Sequence, residues 1–144
     1  MEQNDNDVFN IEEENQIIKF TIRGNTPSKS NSYKIIMITG KGRKPHASLA
    51  KTSKLKEYEQ AFFMQFPPKY RELNLDHYFK LEGTVYYPSN RSDLDNSLKV
   101  VLDCLQKVSG TIKNDNKCVN INVHRAVDKV DPRIEMQLVV FKNL

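Results

Sequence analysis

The strongest constraint on this chain is a run of apolar residues at helical spacing. Leu94, Leu98, Val101, Leu102 and Leu105 recur at i, i+4, i+7, i+8 and i+11, which a helix of about 3.6 residues per turn gathers into one stripe. Such a stripe has to be buried. The segment before it, Tyr78 to Tyr87, alternates so that Phe79, Leu81, Gly83, Val85 and Tyr87 share one face of a strand. A second, polar line runs along the edge of the same helix, with Asp95, Lys99 and Asp103 at i, i+4 and i+8. Asp93 stands at the helix start, where a carboxylate accepts a first-turn N–H and the helix dipole favours negative charge.

The rest of the chain supplies partners for this unit. Ile17 to Arg23 reads as a strand ending at Gly24, Pro27 to Ser32 as a polar turn, and Tyr33 to Thr39 as a second strand. Gly40 to His46 reads as a flexible basic loop, and Ser48 to about Gln65 as a helix with Leu55, Tyr58, Phe62 and Phe66 along one side, stopped by Pro67-Pro68. Beyond the central helix, Gly110 marks a break, and Ile112 to Lys117 is a short turn that brings Asp115 back toward Asp93 and Asp95. Val119 to Val127 and Arg133 to Phe141 read as strands joined in a hairpin at Asp128–Pro132. The order β-β-α-β-α-β-β predicts an α/β, α+β-like single domain over residues 16–144, with a mixed sheet of about five strands and two main helices.

Charge is divided unevenly. Residues 1–15 hold six acids and no base and read as an acidic disordered tail, so the remainder carries 22 bases against 12 acids. That excess points to a polyanion, because phosphate neutralisation dominates nucleic-acid affinity. Cys104 and Cys118 show no metal-ligand spacing and fit small buried hydrophobes in a reducing compartment, which makes the cytoplasm the expectation. No apolar run approaches a membrane span. The expected partner is DNA, with no membrane and no small-molecule cofactor.

Two carboxylates one residue apart at a helix start, a lysine one turn on and a further acid in the next loop suit a hard cation. Mg²⁺ takes oxygen ligands and binds through one or two carboxylates plus water and phosphate. A metal at Asp93, Asp95 and Asp115 could polarise a phosphodiester while Lys99 neutralises charge on the transition state. A plain capping residue followed by a surface ion-pair ladder is the competing account.

The run Asp93-Leu94-Asp95-Asn96 with Lys99, Asp103 and Asp115 resembles the D-x-D-N-x-x-K-x-x-x-D…D signature of the RusA-type Holliday-junction resolvases, endonucleases of bacteria and their prophages. Pro27-Ser28-Lys29-Ser30-Asn31-Ser32-Tyr33 is similar to the family's P-S-x-N-x-x-Y opening, with the tyrosine here only two residues after the asparagine; where the family often has two consecutive acids, this chain reads Asn114-Asp115. The resemblance spans roughly residues 18 to 141. It implies a crossover junction endodeoxyribonuclease that resolves four-way junctions by paired symmetric nicks in recombination and repair. It makes Asp93, Asp95 and Asp115 the Mg²⁺-binding catalytic carboxylates, with Mn²⁺ as a substitute metal, and Lys99 the catalytic lysine. Asp103, Asn96 and Arg91 are accessory positions. Lys29, Asn31, Lys41, Arg43, Lys44, Lys51 and Lys54 are the candidate DNA contacts. A homodimer is expected, since paired nicks in a substrate of two-fold symmetry call for two identical sites. A less selective Mg²⁺-dependent DNA nuclease and a non-catalytic junction-binding protein are the alternatives.

Overall fold

A computed structural model describes residues 15–142 of the chain. Of the acidic tail expected over residues 1–15, all but Asn15 lies outside the described residues. Six strands and two α-helices follow in the order β1 (Gln16–Arg23), β2 (Tyr33–Gly40), β3 (Arg43–Lys51), α1 (Ser53–Gln65), β4 (Tyr78–Tyr87), α2 (Leu94–Lys107), β5 (Cys118–Val127) and β6 (Arg133–Phe141). The α+β single domain expected from the sequence is the one observed, with one more strand.

Four strands form a mixed sheet in the order β1-β6-β4-β5, antiparallel except for the parallel pair β4 and β5. Strict alternation dictates which face is covered: Ile18, Phe20 and Ile22, then Phe79, Leu81, Val85 and Tyr87, then Ile134, Met136, Leu138 and Val140 are all buried. Both helices supply the other half of that core. From α1 come Leu55, Tyr58 and Phe62, with Phe66 at its end, and the rings of Phe20, Phe62 and Phe66 stand 5.1–6.0 Å apart. From α2 come Val100, Val101, Cys104 and Leu105, while Leu94, Leu98 and Leu102 pack along the flank. The apolar stripe is thus real but rotated, with Val101 near its centre. Gly83 has a specific reason to be glycine. Its φ is +144°, and a Cβ there would stand 2.2 Å from the Glu135 carbonyl oxygen of β6.

Two expectations are corrected. The segment Gly40–His46 is not a flexible loop, and the helix does not begin at Ser48. Instead the chain turns through Lys41-Gly42, with Gly42 at φ +81°, and returns as β3 paired to β2, forming a separate two-stranded hairpin. Thr52 then caps α1 by accepting from Leu55 N at 3.3 Å. Strand β3 was hard to read because it lacks β-branched residues and contains Pro45, which its unpaired outer edge tolerates. The second correction concerns β5 and β6, which are not a hairpin: β4 lies between them. Strand β6, with every second residue buried, can be interior, whereas Asn120, Asn122, His124 and Arg125 make β5 too polar for any place but the edge.

Candidate active site

Three loops converge on α2: the segment 88–93 leading into it, the turn Lys29–Asn31, and the turn Asp115–Lys117. The first is shaped by Arg125 of β5, which donates to the Asn90 carbonyl at 2.8 Å, and by Ser89, whose Oγ accepts from Arg91 N at 3.4 Å. Asp93 is the N-cap of α2. Its Oδ1 accepts from Asp95 N at 3.1 Å and its Oδ2 from Asn96 Nδ2 at 2.8 Å, so the carboxylate is held in one orientation by the turn it caps. Asp95 projects into solvent with its side chain 77% exposed, and Lys99 approaches it at 3.6 Å. Two turns further along, Asp103 accepts from Lys29 at 2.9 Å.

Asp115 reaches α2 by a different route. The loop after α2 is fastened by buried hydroxyls: Ser109 and Thr111 bond to one another at 2.9 Å, and Thr111 donates to the Tyr70 carbonyl at 2.9 Å. Ile112 is buried and bridges to Leu75. Asn114 then caps the next turn by accepting from Asn116 N, and Asp115 N donates to Gln106 Oε1 at 3.2 Å. Asp115 therefore sits beside the C-terminal half of α2. Its charge, with that of Asp103, acts on Lys29, whose ammonium is held above the usual lysine range chiefly by the Asp103 hydrogen bond.

Beside Asp93 opens a cleft of about 640 Å³, with Thr26, Asn31, Lys54, Arg91, Asn96 and Ser97 among its walls. Asn31, Lys54 and Arg91 thus meet at one opening although they lie far apart in sequence, and neither Lys54 nor Arg91 has an ion-pair partner among the described residues. The remaining candidate DNA contacts divide. Lys41, Arg43 and Lys44 stand exposed at the far end of the hairpin, whereas Lys29 is engaged by Asp103 and Lys51 by Glu59 at 2.9 Å.

Sequence reasoning missed Ser97. It is buried beneath the cleft with its Oγ unpartnered, close to the Tyr87 hydroxyl, whose ionisation burial pushes up. A polar residue at a core-facing helical position, i+4 from the capping Asp93, was the signal available. Cys104 is buried in the core, and burial pushes its thiol up to about 12, which keeps it in the neutral form.

Among the described residues no three His, Cys, Asp or Glu side chains are grouped closely enough to hold a metal ion. Asp93 and Asp95 share the start of α2, whereas Asp115 lies beside its C-terminal half, so the expected return of Asp115 to the other two does not close to a common ligand group. By donor chemistry Asp93 and Asp95 still suit a hard cation. Asp95 is bound by no protein donor except the loosely placed Lys99, and each Asp93 oxygen accepts a single hydrogen bond, leaving lone pairs free.

A family model described as endodeoxyribonuclease RusA matches residues 19–139. No curated protein matches the chain. No helix among the described residues is long and apolar enough to cross a membrane.

Proposed function

The chain belongs to the endodeoxyribonuclease RusA family, a family of DNA-hydrolysing Holliday-junction resolvases, and we propose that it cuts four-way DNA junctions with Mg²⁺, or Mn²⁺ in its place, as a homodimer making paired nicks. The observation that carries this reading is the start of α2: Asp93 borders a cleft whose walls include Lys54 and Arg91, unpaired among the described residues, and Asp95 with Lys99 stands exposed on the same first turns of the helix. Asp93 and Asp95 would hold the metal, and Asp115 is the third acid that the family resemblance assigns to it. When bound it supplies Lewis-acid polarisation of the scissile phosphate and a more acidic water.

The protein's own groups do the rest. Lys54, Arg91 and Asn31 bind the strand entering the cleft, the cations through its phosphates. Asn96 fixes the Asp93 carboxylate, so one acid is oriented before substrate arrives. Lys99 exchanges its loose contact with Asp95 for the phosphate and offsets the charge that builds there as the P–O bond breaks. The hairpin tip, Lys41, Arg43 and Lys44, holds a neighbouring arm. Two copies related by a two-fold axis offer two such sites to a junction of matching symmetry.

The test is incubation with a labelled mobile four-way junction, a flap and a linear duplex, each with Mg²⁺ and with chelator. Paired junction nicks requiring the metal are expected. Equal cutting of all three substrates would reduce the activity to that of a general nuclease, and salt-sensitive binding without nicking would make the protein a binder only.

A further inference from the structure

Asp103 lies on the same line of α2 as Asp95 and Lys99 yet takes no part in the chemistry above. It is three-quarters buried and bonded to Lys29 at 2.9 Å. The turn carrying Lys29 is also the root of the basic hairpin. Ser32, itself buried, donates its Oγ to the Ser28 carbonyl at 2.6 Å and its N–H to the Lys29 carbonyl at 3.2 Å, and its own carbonyl accepts from Thr52 N at 2.9 Å. Strand β2 leaves from this point and β3 returns to it. Beyond the root the hairpin packs chiefly on itself and stands exposed on both faces, with Ile35, Met37 and Leu49 open to solvent. A two-stranded ribbon with so little support takes its direction from its base.

The base is tied at two points. Lys51, at the end of β3, pairs with Glu59 of α1, and Lys29 pairs with Asp103 of α2; both pairs border one small pocket shared with Tyr33 and Cys104. Of the two ties, only Lys29–Asp103 reaches the helix that carries Asp95 and Lys99. Asp103 is eight residues from Asp95, about 12 Å along the axis.

We propose that Lys29 and Asp103 form a positioning pair that fixes the basic hairpin's direction relative to the catalytic start of α2, Asp103 being neither a metal ligand nor a catalytic residue. This rests on the nuclease reading for its functional consequence, but the mechanical part stands alone. With the tie in place, a junction arm held by Lys41, Arg43 and Lys44 is delivered to Asp95 and Lys99 in one orientation. Without it the phosphate contacts persist while alignment of the scissile bond is lost, and alignment errors of about 1 Å cost rate rather than affinity.

The experiment compares Asp103→Asn, Lys29→Met and the exchange Lys29→Asp with Asp103→Lys. Amide hydrogen exchange at Ser32 and Thr52, in protein without DNA, is expected to quicken in both single variants and to return toward wild type in the exchange; unchanged protection in the singles overturns the clamp whether or not the protein cuts DNA. In single-turnover junction cleavage the single variants are expected to lose about tenfold in rate, with junction affinity within about threefold and the Mg²⁺ half-saturation unmoved, and the charge exchange is expected to restore most of the rate. A rise in Mg²⁺ half-saturation in Asp103→Asn that the exchange does not repair would make Asp103 a metal ligand. A fall in affinity in Lys29→Met matching its fall in rate would make Lys29 a phosphate contact. Either overturns the proposal, whereas a wild-type protein that cuts no junction overturns only the nuclease reading and leaves the exchange data to judge the clamp.

Discussion

Asp93 is asked to do two things, and substitution separates them. As the N-cap of α2 its Oδ1 accepts from Asp95 N and its Oδ2 from Asn96 Nδ2; as a proposed metal ligand it needs its negative charge. Asp93→Ala removes both oxygens, and loss of a capping acceptor costs about 0.5–2 kcal/mol. Loss of the Asn96 contact adds little because that amide can turn to water. For a chain of this size about 1 kcal/mol moves the melting temperature by roughly 3–5 °C, so Asp93→Ala is expected to melt roughly 2–10 °C lower, about 4 °C for a typical cap. Asp93→Asn behaves differently. An asparagine caps about as well as an aspartate, its amide oxygen can take over the bond from Asp95 N, and Asn96 can present its oxygen to the new amide. Its melt should fall within about 2 °C of wild type, under 0.5 kcal/mol. Both variants should lose junction cleavage by at least about a hundredfold, since neither has the charge. Thermal melts beside a single-turnover junction assay give both readouts. Equal melts for Asn and Ala would refute the capping argument, and near-native cleavage by Asp93→Asn would remove Asp93 from the chemistry.

The hairpin tip gives a second outcome: with Lys41, Arg43 and Lys44 all changed to alanine, the slope of log affinity against log salt should flatten by up to about 2.7, roughly 0.9 per lost phosphate contact, and an unaltered slope would take the tip off the DNA. Gly83→Ala sets a Cβ 2.2 Å from a β6 carbonyl oxygen at a φ of +144°, so it should lose about 3 kcal/mol or more, read as a chemical-denaturation midpoint well below wild type. Glu82 is held below the usual carboxylate range, first by the Gln137 side-chain hydrogen bond and then by Lys80. A lowered carboxylate contributes stability above its unfolded pKa and loses it as pH falls through the folded one. Glu82→Gln should therefore melt below wild type near pH 7, by less than about 1 kcal/mol, and the gap should close as pH falls below the ordinary glutamate value of about 4.3 and through the lower folded one; a gap independent of pH would mean that charge is not the cause.

What the sequence made legible followed from strong local periodicity. The stripe on α2, the alternation in β4, the aromatic face of α1 and the cap at Asp93 are each decided by neighbours within two turns or a few strand positions, and all appear in the fold. What stayed hidden depends on distant partners. Strand β3 carries no β-forming signal of its own; it is a strand because Gly42 turns the chain back onto β2. The separation of β5 from β6 is decided by β4, which takes one strand on each of its edges, and local pattern does not record that. At the site, the signature residues that share a turn of α2 are together, whereas Asp115 is held by Gln106 and the Ser109–Thr111 knot. Lys29 and Lys51 looked like free cations in sequence because their acidic partners lie 74 and 8 residues away.

The pairing of acids with lysines along α2 also says how such a site can fold before it meets metal or DNA. Asp93, Asp95, Asp103 and Asp115 would repel one another if left bare. Two of them have a lysine instead, and the two pairs are unlike. Lys29–Asp103 is short and its acid three-quarters buried, so it is built to persist. Lys99–Asp95 is open to water on both sides at 3.6 Å, an i,i+4 pair contributing about 0.3–0.5 kcal/mol. A divalent cation or a phosphate outcompetes a contact of that strength. In the proposed reading, the loose pair is therefore the one that opens: Asp95 would be free to hold a cation, and Lys99, one turn away, would face the phosphate. The tight pair must not open, because it aims the hairpin that brings that phosphate in. The exposure of their acidic partners, more than residue type, assigns these two lysines their different roles.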